Sequence, residues 1–239
     1  MRVRSFAVSL ALVLAFSMVT FLAADQAAVM QKIDAAAAAE GEAAAEAFGA
    51  ASDLVAKDLE GAGEYATDLA PWVTGVLEVA SNTAKAGTLE AEDLAAVKWR
   101  VKDFYGVVMP VSAGKMSAAA DALASRAEGA TGVYKEKIDQ AVSSLKGDDK
   151  EKAMRDLKVA VPAVYLSKAD ELVSQEKYKE AAPWVGSAGA FFRLHKLGPD
   201  TEVRELASVI MQHRNDLARG IDVSSEQLQY WINTLDEKL

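Results

Sequence analysis

Ala70-Pro71-Trp72-Val73 recurs as Ala182-Pro183-Trp184-Val185, an offset of 112 residues. The chain holds only five prolines and four tryptophans, so a shared Pro-Trp pair differs from the chance repeats of an alanine-rich sequence. Carried forward without gaps, the offset sets Glu90 on Glu202, Leu94 on Leu206, Ala95 on Ala207, Val97 on Val209 and Ser112 on Ser224. Met116, Ala119, Ala120 and Leu123 then fall on Leu228, Trp231, Ile232 and Leu235. Both sets have the i, i+3, i+4, i+7 spacing of a buried helix face. A period this long exceeds the roughly 20–50 residues of solenoid repeats, which points to two fused bundles rather than an array.

The helices follow from this frame. Alanine is abundant and runs of β-branched residues are nearly absent, so strands have little to build on. A first helix is expected from Asp25 to about Glu60, ended by Gly61-Ala-Gly63, and a second from Glu64 or Pro71 to Ala86, with Pro71 suited to a first turn. Gly87-Thr88 reads as a C-cap followed by an N-cap. A third helix runs from Leu89 to about Val108 and stops at Met109-Pro110, and a fourth runs from Ser112 to about Leu145 through Gly129 and Gly132. Lys146-Gly-Asp-Asp-Lys150 is the clearest linker. Beyond it come a helix from Asp149 to Gln175, kinked or broken by Pro162, and one from Tyr178 or Pro183 to Leu197. Gly198-Pro199-Asp200 separates these from a helix ending at Gly220 and a last one opened by Ser224-Ser225. The expected fold is all-α: two duplicated antiparallel helical-bundle units, residues 25–146 and 149–239, about eight helices after an N-terminal segment 1–24.

The stretch from Leu166 to Ala182, with Tyr178 and Ala182 at the start of a helix, resembles the turn of a tetratricopeptide helical hairpin. The resemblance covers about 30 residues, once, without the expected recurrence. It implies an antiparallel helical hairpin and identifies no family.

Met1-Arg-Val-Arg4 followed by the uncharged run Ser5–Ala24 reads as an export signal with its basic residues left inside. The run is long enough to be a retained anchor instead, and Leu22 stands where cleavage after Ala24 prefers a small residue. Either way the rest of the chain is expected outside the cytoplasm, periplasmic, lumenal or secreted. Losing Arg2 and Arg4 leaves 24 of the 26 basic residues against 35 acidic ones, a net charge of −11 rather than −9. Nucleic-acid binding, which needs clustered Lys and Arg, is disfavoured. With no cysteine, the fold relies on its core alone, and covalent c-type haem, Cys-zinc and iron–sulfur sites are excluded.

Few residues suggest chemistry. His195 extends the stripe Trp184, Ala188, Phe191, and His213 sits among Leu206, Ile210 and Leu217. Across a turn near Pro199 the two are displaced by about 15 Å along the bundle, too far to share a metal. They read as histidines at a face edge. Aromatics at helical spacing read first as core, with Trp72 and Trp184 anchoring equivalent positions. Phe191-Phe192 and Tyr230-Trp231 are adjacent pairs, so each helix turns aromatics to two sides, and one of each pair should be half-exposed or meet the other unit. Trp184, Phe191, Phe192, His195, Tyr230 and Trp231 are therefore the candidate walls of a ligand or partner groove. Acidic clusters such as Glu90, Glu92, Asp93 complement helix N-termini. No di-iron Glu-x-x-His, HExxH, Ser-His-Asp or phosphate-loop pattern occurs.

These features lead to a non-enzymatic, exported helical protein, without cofactor or metal, that binds another protein as adaptor, scaffold or chaperone-like component. Membrane contact is expected only through the N-terminal segment. The alternative is a carrier of an apolar small ligand or non-covalent pigment in a groove of the bundle.

Overall fold

The computed structural model describes residues 25–194 and 201–239, the side chains of 201–203 apart. The signal-or-anchor segment 1–24 and His195 lie outside the described residues. Among the described residues every regular element is helical. The helices are α1 (25–37), α2 (Gly41–Asp58), α3 (Glu64–Lys85), α4 (Ala91–Asp103), α5 (Met109–Ser112), α6 (Met116–Arg126), α7 (Gly132–Lys146), α8 (Lys150–Ser174), α9 (Tyr178–Leu194), α10 (Thr201–Ala218) and α11 (Ser225–Lys238). No described helix is long and apolar enough to cross a membrane.

Several boundaries depart from the sequence reading, and glycine and proline explain each. The expected first helix is two: the chain turns at 38–40, and Gly41 enters α2 at φ +58°, a conformation other residues resist. The expected fourth helix is likewise divided into α6 and α7 around residues 127–131. Pro110, by contrast, does not stop the third. A π-helical turn, Phe104–Val108, joins α4 to α5, with the Met109 N–H donating to the Phe104 carbonyl five residues back. The widened turn makes room for the proline ring, which would crowd an α-helical carbonyl. Pro71, Pro162 and Pro183 all sit inside helices rather than starting or breaking them. A mid-helix proline costs about 3 kcal/mol in an exposed helix. Here α3, α8 and α9 bury long faces on both sides of each proline, and that burial holds them helical.

Consecutive helices pack most extensively as the pairs α2–α3, α7–α8, α8–α9 and α9–α10. Packing also crosses between the halves of the chain, with α9 lying against α3 and α4. The buried apolar residues accordingly make one continuous cluster from Val29 to Leu235. Shifted by 112 residues, α2, α3, the α4–α5 segment and α6 overlap the ranges of α8, α9, α10 and α11. Ala119, Ala120 and Leu123 are buried, as are Trp231, Ile232 and Leu235. The last helices pack differently, however: α6 lies on the π turn and α7, whereas α11 lies on α8 and α7.

The Lys146–Lys150 linker is the turn of the α7–α8 hairpin, which is closed by a buried carboxylate. Asp156 of α8 accepts from Ser144 Oγ (2.5 Å) and Gln140 Nε2 (3.2 Å) of α7 and from Lys152 Nζ (2.8 Å). Burial pushes this carboxyl up, but the three hydrogen bonds and the Lys152 charge outweigh it and hold Asp156 below the usual carboxylate range. A depressed folded-state value contributes stability above the unfolded value near 4, and that contribution is lost as pH falls through the folded value. Asp156→Asn should therefore cost about 2 kcal/mol at pH 7. The cost should shrink in urea melts near pH 3; a cost independent of pH would refute the assignment.

Candidate functional site

A groove of about 540 Å³ opens where α3 and α4 meet α9 and α10. Its walls are mostly apolar: Val76, Val79 and Ala80 from α3, Ala96 and Val97 from α4, Ala190 and Leu194 from α9, and Met211 from α10. Leu89 of the α3–α4 connection closes one side. Pro71 and Pro183, the two copies of the repeated proline, both line it. So does Gly75, in mid-α3, where an added Cβ would meet no atom within 4 Å. The missing side chain leaves open space in the trough.

The approach of α10 to α9 shapes the far wall. A Cβ on Gly189 would lie 3.0 Å from Ile210 Cγ2 and from Met211 Sδ, and one on Gly186 would lie 3.3 Å from Arg214 Cγ. Those two glycines let α10 come close, which brings Met211 and Arg214 to the groove.

Among the described residues, four charged ones line this apolar trough: Arg100, Arg193, Arg214 and Asp93. Asp93 is engaged at the start of α4, where its carboxylate accepts from the Glu90 N–H in a capping box. Burial raises the Asp93 carboxyl, with the Arg214 charge acting against that. Arg100 is the most unusual of the four, being only 8% exposed. Its Nε donates to Ser187 Oγ (2.9 Å) and its Nη1 to the Trp72 carbonyl (3.2 Å). The guanidinium carbon lies 6.0 Å from the centre of the Trp72 ring. No carboxylate pairs with it among the described residues. Burial, with the nearby Arg214 charge acting in the same direction, pushes the Arg100 guanidinium down to about 10. The half-buried cation next door is different. Arg126 is neutralised by Asp103 (2.7 Å), which also accepts from Tyr165 Oη (2.6 Å).

The repeated tetrapeptide forms the floor of this arrangement. Trp72 Nε1 donates to the Ser187 carbonyl (3.1 Å) across the two halves, and Ser187 Oγ donates to the Pro183 carbonyl (2.7 Å). Pro183, Ser187, Trp72 and Arg100 are thus one connected network. Trp72 also packs edge-on against Phe191 (5.0 Å) and Tyr165 (5.5 Å).

Of the residues expected to wall a groove, the described ones are not in the lining of this cavity. Trp184, Phe191, Phe192 and Trp231 are buried in the core, and none lines the cavity. Phe191 does meet the other half, through Trp72, and Tyr230 is the exposed member of its pair at 58%. Trp184 stacks edge-on with Trp99 (4.9 Å), yet its Nε1, unlike that of Trp72, has no hydrogen-bond partner among the described residues. His213 sits half-buried at a face edge, 5.3 Å from the Trp231 ring and 3.7 Å from Asp216. No cluster of three potential metal ligands occurs among the described residues.

Sequence reading missed Arg100, although a signal existed. With Val97, Val101 and Phe104 it completes an i, i+3, i+4, i+7 stripe, so a cation occupies a position whose neighbours are all buried. Arg193 and Arg214 carried no such mark, because only the close α9–α10 packing brings them to the trough. No family model, curated protein or solved structure matches this chain.

Proposed function

We propose that this protein is a non-enzymatic carrier that holds a small molecule with a large apolar body in the α3–α4–α9–α10 groove. The observation that carries this reading is the groove itself. Its volume of about 540 Å³ lies in the range of small-molecule sites, which are typically apolar concavities with a few placed polar groups. It lies between the halves of the chain, over the repeated Pro-Trp pair, which supports an origin by duplication with the binding surface made where the two copies meet. The basic, then uncharged, N-terminal sequence supports export of such a carrier. A macromolecular partner has less support. Val209, Ile221 and Tyr230 are exposed apolar residues, but singly exposed apolar side chains are ordinary surface.

Gly75→Phe tests the reading directly. The new side chain enters open space and replaces a mid-helix glycine, so the fold is expected to be kept or strengthened. Nile red, an uncharged polarity-sensitive dye, should bind the wild type with a rise in emission, and bind Gly75→Phe about tenfold more weakly or worse. Equal binding to both proteins, or none to the wild type, would defeat the carrier reading. If native material then proved free of small molecules and reproducibly brought down one protein, the adaptor reading would replace it.

A further inference from the structure

We infer that the ligand of this groove is an amphiphile with an anionic head, a carboxylate or its equivalent, seated between Arg100 and Arg214 with its apolar chain along α3. The inference rests on the carrier reading and adds the chemistry of the ligand. Among the described residues three arginines and one aspartate line the trough, so their summed charge there is positive although the whole chain carries −9. The aspartate already serves the α4 N-terminus. Arg100 is the decisive group. Cations buried in an apolar setting are normally paired, because desolvation otherwise leaves their charge uncompensated. Among the described residues Arg100 has neutral partners only, Ser187 Oγ and the Trp72 carbonyl. These partners fix two of its nitrogens from one side, so the guanidinium is held rigidly where it lines the cavity.

Arg214 reaches the same space from α10. It makes no ion pair within 4 Å among the described residues; Nη1 donates to the neighbouring Asn215 side chain (3.1 Å). Two like charges facing one apolar cavity repel each other, and an anion between them removes the repulsion while gaining charge-assisted hydrogen bonds from both. Guanidinium forks suit planar carboxylates, and the apolar walls leading away from them suit an alkyl or ring body. A cationic head is repelled, and an uncharged head can accept a hydrogen bond but leaves the repulsion in place. Water can solvate the rim but cannot neutralise the buried charge.

The test is displacement of Nile red by three ligands of equal chain length: dodecanoate, 1-dodecanol and dodecyltrimethylammonium. The wild type should bind dodecanoate about tenfold more tightly than 1-dodecanol, and the ammonium compound more weakly than either. Arg214→Gln should bring the dodecanoate-to-dodecanol ratio to about two. Arg100→Met should abolish the preference; should that variant fail to fold, as judged by circular dichroism, the Arg214→Gln ratio decides. Equal affinity for dodecanoate and 1-dodecanol, or a ratio unchanged by Arg214→Gln, overturns the anion assignment. When Nile red still binds the wild type and Gly75→Phe still blocks it, those failures leave the carrier reading standing. Loss of Nile red binding itself overturns both.

Discussion

Replacing Trp72 by Ala should lower the stability of the protein by about 4 kcal/mol, the middle of the range for a fully buried tryptophan. Urea unfolding followed by circular dichroism measures this. The size follows from three losses at one position. The indole is fully buried, so its removal leaves a cavity in a close-packed interior. Edge-to-face contacts with Phe191 and Tyr165 go with it. So does the hydrogen bond to the Ser187 carbonyl, which ties α3 to α9. The loss should fall on the whole molecule in one transition, because the buried residues of both halves form one cluster. Two separate transitions, with only the first shifted, would show that the halves unfold independently. Trp184→Phe makes the contrast. It removes an indole donor that has no partner among the described residues, so it should cost less than Trp72→Phe, although both residues come from the same repeated tetrapeptide.

Arg100→Met should move stability in the opposite direction, raising that of the ligand-free protein by about 2 kcal/mol. Holding the guanidinium in this setting depresses it well below its ordinary value, to about 10, a penalty on the order of 3 kcal/mol. Methionine keeps an unbranched apolar side chain in the same stripe without that penalty. The groups left behind are not orphaned. Ser187 Oγ still donates to Pro183, and the Trp72 carbonyl lies inside α3, where the helical bond remains available. Part of the gain is offset by the lost Arg100–Ser187 link between α4 and α9. Thermal melts of the ligand-free protein give the answer. A variant less stable than wild type by more than about 1 kcal/mol would make Arg100 a structural residue in the first place. A more stable variant that no longer prefers dodecanoate would show stability traded for binding at this position.

The helical class and much of the element order were legible in the sequence, because both depend on local propensity and on spacing along one helix. Alanine abundance and the Ala119, Ala120, Leu123 stripe point inward without reference to any partner. The caps at Asp149 and Ser224 are equally local: each side chain accepts from the N–H three residues on. Prolines were harder to read. Pro71, Pro162 and Pro183 would break or begin helices if propensity decided alone, but the faces those helices bury outweigh the lost hydrogen bond. The surroundings of the paired aromatics were hidden for a related reason. Adjacent Phe191 and Phe192 cannot share one helix face, so one was expected half-exposed or against the other unit; α9 is covered by α3, α4, α8 and α10, so both are buried, and Phe191 meets Trp72 of the other half.

By itself, then, the sequence determined an acidic, cysteine-free, all-helical chain and two copies of a Pro-Trp pair set 112 residues apart. Only the tertiary structure decided what the pair does. Helix periodicity says which residues share a face, but not which face of a distant helix lies opposite. The crossing of α3 with α9 puts the Ser187 carbonyl over the Trp72 indole, and the glycines of α9 admit α10 closely enough to bring Arg214 toward Arg100. A charge reads as solvated surface until such packing withdraws the water around it. That withdrawal, absent from any local pattern, turns one arginine among 26 basic residues into the centre of a candidate site.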